Sequence, residues 1–185
     1  KCWGRGVAGP LGQGDLADRG DSPGEMGDAL PAVNLGTDRT PAALSGGGAH
    51  TCVRLDDGSV KCWGYNQFGQ LGLGDTDSRG DGPGEMGDVL PPVQLTGAGP
   101  VPPQPVAYRQ LSGKGSHTCA ILSNGSVKCW GDNEFGKLGL GDTSDRGDAA
   151  GEMGGDLPAV DLGTGRTAVA IAAGARHTCA VLDNG

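Results

Sequence analysis

Three His-Thr-Cys triplets, at His50, His117 and His177, set an imidazole and a sulfur two residues apart. Three Lys-Cys-Trp-Gly tetrapeptides, at Lys1, Lys61 and Lys128, supply a second set of cysteines. Residues two apart on an extended strand share a face, so His50, Cys52 and Cys62 can be read as a disulfide, reduced thiols, a Cys-His nucleophile or part of a zinc site. Zinc would have only three ligands here, without the short Cys-x-x-Cys knuckle. A catalytic pair usually occurs once, whereas this triplet recurs in every copy, and a position repeated in each unit usually serves the unit itself. Facing positions on neighbouring antiparallel strands bring Cβ atoms to about 4.5–5.5 Å, close to disulfide range. The expectation is therefore Cys52 bonded to Cys62 and Cys119 to Cys129, with Cys2 and Cys179 lacking partners in their own units and buried reduced thiols as the alternative. Disulfides imply an oxidising location, extracellular, at the cell surface or periplasmic.

The carboxylates also recur. Asp15, Asp21 and Glu25 correspond to Asp75, Asp81 and Glu85, and to Asp142, Asp148 and Glu152. Hard oxygen ligands in a glycine-rich loop could hold calcium, and Asp75-Thr76-Asp77 opens like a calcium loop. Arg79 then occupies a ligand position, and Asp77 is replaced by Ala17 and Ser144 in the other copies. The competing reading is a solvated loop whose carboxylates cap turns and pair with Arg19, Arg79 and Arg146. No cofactor is expected, with calcium at these carboxylates as the alternative. Each loop also spells Arg-Gly-Asp, the tripeptide read by integrins, but copying the unit copies the tripeptide. Trp3, Trp63 and Trp130 recur once per unit and read as packing between units.

Positioning these groups requires short strands and tight turns. The copies are spaced by 60 and 67 residues, and the extra seven fall between Leu95 and His117, where Pro100 to Pro105 reads as an extended loop insertion. His50–Leu55 and Ser59–Trp63 flank Asp56-Asp57-Gly58, a three-residue loop suited to a type I turn with a left-handed residue at Gly58. That turn sets Cys52 opposite Cys62, and Ser123-Asn124-Gly125 repeats it. About four short strands per unit are predicted, with a turn at Asn66–Gly72 leading to one of them. The units run 1–46 (partial), 47–113 (with the loop insertion), 114–173, and 174–185 (the start of another). The chain opens on the far strand of a hairpin and stops in a hairpin turn. It is therefore expected to be an open arc whose cut edges lie inside units, without its true N-terminus.

The chain has 185 residues, 38 of them glycine, and only 4% aromatic residues, which argues against a large helical core. The formal net charge of −8, with no run of lysine or arginine, argues against nucleic acid and anionic membrane surfaces as partners. The longest apolar stretch, Ala168 to Gly174, is far too short to span a bilayer.

The string His-Thr-Cys, Leu, Asp-Gly-Ser-Val, Cys-Trp-Gly, Asn, Gly-Gln-Leu-Gly, Gly-Asp resembles the regulator of chromosome condensation repeat, across all three units. The resemblance implies an all-β propeller with one four-stranded blade per unit and seven blades in a ring, so that three units form a partial propeller. The insert from Gly74 to Gly87 departs from the family's eukaryotic pattern and resembles a variant in exported bacterial proteins. The function implied is a secreted or cell-surface module that binds another protein through its loops, without catalysis of its own. The alternatives are an enzyme using a central-channel or loop site of the complete ring, and a guanine-nucleotide exchange regulator. A catalytic set would appear in one blade and break the repeat, and no lone polar cluster does so.

Overall fold

The computed structural model describes residues 1–96 and 108–185. The proline-rich insertion at Pro100 to Pro105 lies outside them. Among the described residues eight strands form three antiparallel sheets: β1 (Pro41–Gly46), β2 (His50–Leu55) and β3 (Val60–Gly64); β4 (Gln110–Lys114), β5 (His117–Ile121) and β6 (Val127–Gly131); and β7 (Ala168–Ala173) with β8 (Thr178–Leu182). Helical structure among the described residues is limited to three single 3-10 turns, so the all-β expectation holds.

The hairpins follow from the turn residues. Leu55 N–H donates to Ser59 C=O at 2.8 Å across the loop, and Gly58 sits at φ 82°, a left-handed conformation that a side chain would strain. The Asp57 carboxylate accepts from both the N–H and the hydroxyl of Ser59, at 2.9 and 2.7 Å. Asn124 and Ser126 repeat the arrangement at the second hairpin. The resulting register sets Cys52 opposite Cys62 and Cys119 opposite Cys129. Both pairs are disulfides with Cα atoms 4.1 Å apart, while Cys2 and Cys179 carry free thiols. The bonded sulfurs are therefore neither nucleophiles nor metal ligands.

The predicted fourth strand shrinks to a single bridge in each unit: Gly4 with Arg19, Gly64 with Arg79, and Gly131 with Arg146. Glycines at positive φ, such as Gly72 (68°) and Gly74 (77°), break the extended path before it. Asp75 then takes the N–H of Asp77 onto its own carboxylate at 3.0 Å, which closes a local turn where a ladder would continue. The first sheet draws on both sides of position 46/47, residues 41–46 pairing with 50–55.

The sheets stand side by side, β1 next to β4 and β4 next to β7. Ser45 Oγ accepts from Gly113 N–H at 2.7 Å, Ser112 Oγ accepts from Ala173 N–H at 2.9 Å, and the Gln110 amide both donates to and accepts from the Ile171 backbone. Apolar side chains collect between sheets as well as within them. Cys52, Val60 and Leu71 of one unit pack with Leu111, Ala120 and Trp130 of the next. This is the architecture of consecutive propeller blades, and the three units form a partial propeller. No helix among the described residues is long and apolar enough to cross a membrane.

Candidate functional site

Each seam between blades is wired through one backbone carbonyl. Gln70 C=O accepts the Trp130 indole N–H at 3.0 Å and the Thr118 hydroxyl at 3.3 Å, both from the following unit. Pro10 C=O accepts Trp63 and Thr51 in the same way, each at 3.0 Å. Because the Thr118 hydroxyl proton points at Gln70, its oxygen accepts from His50 Nε2, 2.8 Å away. His117 Nε2 likewise meets Thr178 Oγ1 at 2.9 Å, and that hydroxyl donates to Lys137 C=O. The proton of each imidazole is thus assigned to Nε2, and the buried Nδ1 atoms of His50 and His117 have no hydrogen-bond partner among the described residues. Burial holds both imidazoles well below the usual histidine range, at about 4, and each is neutral at pH 7.

The histidine of His-Thr-Cys therefore reaches forward to the next blade, its threonine reaches back, and its cysteine closes its own hairpin. All three are engaged in holding the blades together. Trp130 also clamps Gly72 of the preceding unit together with Met153. A Cβ on Gly72 would lie 2.8 Å from the indole nitrogen and 2.9 Å from the methionine methyl. The buried Asn66 completes the turn, its amide donating to Asp75 and Asp77 and its oxygen accepting from Leu71 N–H. Asn133 does the same in the next unit. The sequence reading gave no roles to Gln70 C=O, Asn66 or Met153. Their one visible signal is recurrence of Trp-Gly-x-Asn and Gly-Glu-Met-Gly, and the first unit lacks the asparagine, having Gly6 in its place.

The acidic insert is closed on itself. Glu85 Oε2 accepts the N–H groups of Gly80, Asp81 and Gly82 at 2.8, 3.1 and 2.9 Å. Burial pushes the Glu85 carboxyl up, but these donors outweigh it and hold the group below the usual carboxylate range. Burial and the neighbouring Glu85 push Asp81 the other way. Glu25 and Glu152 occupy the same place in their inserts. Asp15, Asp75 and Asp142 pair with Arg19, Arg79 and Arg146 at 2.6–2.8 Å. The arginine of each Arg-Gly-Asp is thus folded back on its own loop. Among the described residues no three acidic, histidine or cysteine side chains converge in a manner that would hold a metal ion. Asp21, Asp81 and Asp148 lie beside the glutamates, whereas Asp15, Asp75 and Asp142 face the arginines. Glu85→Ala is expected to raise amide exchange at Gly80, Asp81 and Gly82 by about tenfold or more, the loss of hydrogen bonds to a charged acceptor being about 1.5–3 kcal/mol. Exchange unchanged at those amides would show that the carboxylate does not order the loop.

Successive inserts touch, Gly14 N–H donating to Gly80 C=O and Gly74 N–H to Gly147 C=O, at 3.1 and 3.0 Å. Residues 14–28, 74–88 and 141–156 together hold 15 of the 22 acidic but only 3 of the 14 basic residues, so this ribbon carries −12 and the remainder of the chain +4. Each of those carboxylate residues is exposed or half-buried.

The family described as Regulator of chromosome condensation (RCC1) repeat matches residues 42–70 and 108–137 in one form and 57–121 and 124–181 in another. The Ultraviolet-B receptor UVR8 of Arabidopsis thaliana is 32% identical over 188 residues, which covers 99% of this chain and 35% of the receptor. Human WBSCR16 superimposes with a TM-score of 0.64 at 17% identity, over 97% of this chain and 39% of that one. Prp20p of Saccharomyces cerevisiae superimposes at 0.60 and 21% identity, over 99% and 39%. The chain thus spans little more than a third of the length of these proteins.

Proposed function

Because the chain belongs to the regulator of chromosome condensation (RCC1) repeat family, we propose that it acts as a protein-binding module whose partner docks a basic surface on the ribbon of acidic inserts. The observation that carries this reading is the charge separation, −12 on the inserts against +4 elsewhere. Potentials of opposite sign steer encounter and fix orientation. Binding by other members of the fold supports it: the Prp20p structure was described together with its binding to Gsp1p and histones. The wiring of His50, His117, Trp63, Trp130, the four bonded cysteines and the insert glutamates into the blades leaves loops and inserts as the surface on which partners differ. The two disulfides favour an extracellular, cell-surface or periplasmic location.

Selection of a random peptide library on the immobilised chain tests the proposal. Lysine- and arginine-rich peptides are expected to be enriched, and cross-links should map to the inserts. Asp28, Asp77 and Asp156 are exposed, and their carboxylates make no hydrogen bond among the described residues, so reversing them to lysine spares the loops. That triple variant is expected to weaken binding by at least about tenfold, with the same direction at high salt. Enrichment of neutral or acidic peptides, or cross-links confined to other surfaces, would overturn the reading.

A further inference from the structure

Two thioethers sit where successive inserts meet. Met86 lies in the seam between the first two units and Met153 in the seam between the second and third, both half-buried. A side-chain carbon on Gly147, the glycine of Arg-Gly-Asp, would lie 3.1 Å from Met153 Sδ. One on Gly72 of the preceding unit would lie 2.9 Å from the methyl of the same methionine. Met86 repeats this at Gly80 and Gly12, at 3.2 and 3.0 Å. Each methionine therefore fills the space between its own insert and the unit before it.

Gly80 and Gly147 are also where the inserts are tied. Gly80 N–H donates to Glu85 and its C=O accepts from Gly14, while Gly147 N–H donates to Glu152 and its C=O accepts from Gly74. The recurring Gly-Glu-Met-Gly thus sets two adjacent side chains on one glycine. The carboxylate holds its amide, and the thioether packs where a side chain would stand. The donors that share these contacts are committed, the Trp63 and Trp130 indoles to Pro10 and Gln70 C=O and the turn amides to the glutamates. An oxygen added to either sulfur would be a strong acceptor, and none of these donors is left for it inside the packed seam.

We propose that Met86 and Met153 are oxidation sites whose conversion to the sulfoxide releases the acidic inserts from the seams. Hydrogen peroxide is the oxidant. The thioether sulfur attacks one peroxide oxygen, the S–O bond forms as the O–O bond breaks, and the second oxygen leaves as water with both protons. The sulfur loses the two electrons that the peroxide gains. The four bonded cysteines are already oxidised and 0–1% exposed, which leaves the thioether as the reactive sulfur of each seam. A flexible apolar side chain becomes a polar one that needs a donor, so it turns outward to water and gives up its seat on Gly12 or Gly72. The consequence for binding rests on the docking reading above: inserts set free no longer present their carboxylates as one fixed ribbon.

The chain carrying Cys2→Ser and Cys179→Ser, which removes the two thiols as competing targets, is treated with hydrogen peroxide. Peptide maps are expected to show one added oxygen at Met86 and at Met153. Amide exchange at Gly80, Asp81, Gly82 and Gly147 should rise about tenfold or more, and the melting temperature should fall by about 4 °C or more. Methionine sulfoxide reductases acting on both epimers should restore the two readouts. Met86→Leu with Met153→Leu keeps the volume and apolar character and retains Met26, so this variant should hold its amides and its melting temperature through the same treatment. Met86 and Met153 left unoxidised, their oxidation without change in exchange, or a leucine variant that responds as its parent does would each overturn the proposal. Once the inserts loosen, binding of lysine- and arginine-rich peptides should weaken by about tenfold. Loosened inserts with unchanged binding would count against the ribbon as a docking surface and leave the modification standing.

Discussion

Trp130→Ala is expected to lower the unfolding free energy by about 3–5 kcal/mol, the range for deleting a large buried aromatic, while Trp3→Ala changes it by less than about 0.5 kcal/mol. The two tryptophans occupy the same tetrapeptide, so local sequence does not separate them. Trp130 is fully buried between Leu71, Cys52 and Val60 of one unit and Leu111 and Ala120 of its own. Its indole N–H satisfies Gln70 C=O, and its ring closes over Gly72. Alanine would leave a cavity that the disulfide-bonded hairpins on either side are poorly able to close. Urea titrations of both variants on the Cys2→Ser, Cys179→Ser background, where intermolecular bridging does not enter, would give the comparison. Equal effects at the two sites would mean that the seam around Trp130 is not where the arc holds together.

Acid is expected to loosen the same seams before the carboxylates titrate. His50 and His117 have folded-state values of about 4 against 6.5 for a free imidazole. Between those limits the unfolded chain binds more protons than the folded one, so stability is lost as pH falls from about 6.5 to about 4 and no further through these groups below it. At about 1.4 kcal/mol per unit, the fully buried His50 alone contributes up to about 3 kcal/mol of this loss. The cause is geometric. A second proton must go to Nδ1, which is buried without an acceptor. His50 also faces His117, and His117 faces Lys137 and His177 with Asp132 opposing them. Melting followed from pH 7 to 3.5 should show the drop, and His50→Gln should make it shallower, His117 supplying what remains, while leaving the later fall below pH 4, where Glu25, Glu85 and Asp142 are held below their usual values. A melting temperature flat between pH 7 and 5 would contradict the assignment of neutral, enclosed imidazoles.

The blade hairpins and their disulfides were legible because both depend on local signals. Gly58 and Gly125 demand particular turns, and the turn length then dictates which cysteines face each other. The seams were not legible in the same way. Gln70 C=O and Pro10 C=O act through the backbone, which leaves no mark on residue type, and their donors lie 40 to 60 positions away. The fourth strand was over-read because Leu71 and Leu73 alternate with glycine as strand residues do, while positive φ at Gly72 and Gly74 turns the chain. For the acidic insert, composition alone admitted both calcium and capped turns. In the structure Glu85 Oε2 accepts from three N–H groups, an arrangement that spacing alone does not foretell.

The seam has a further consequence for how such a chain can change over generations. Every cross-blade contact of the repeated set runs from one unit to its immediate neighbour and ends on a glycine, a backbone carbonyl or a threonine that every copy supplies. A unit can therefore be duplicated, deleted or exchanged with another without retuning the units on either side. Pro10, Gln70 and Lys137 differ in side chain at the position whose carbonyl is used, so drift there leaves the joint intact. Loops and inserts can then diverge from unit to unit on a frame whose joints remain interchangeable.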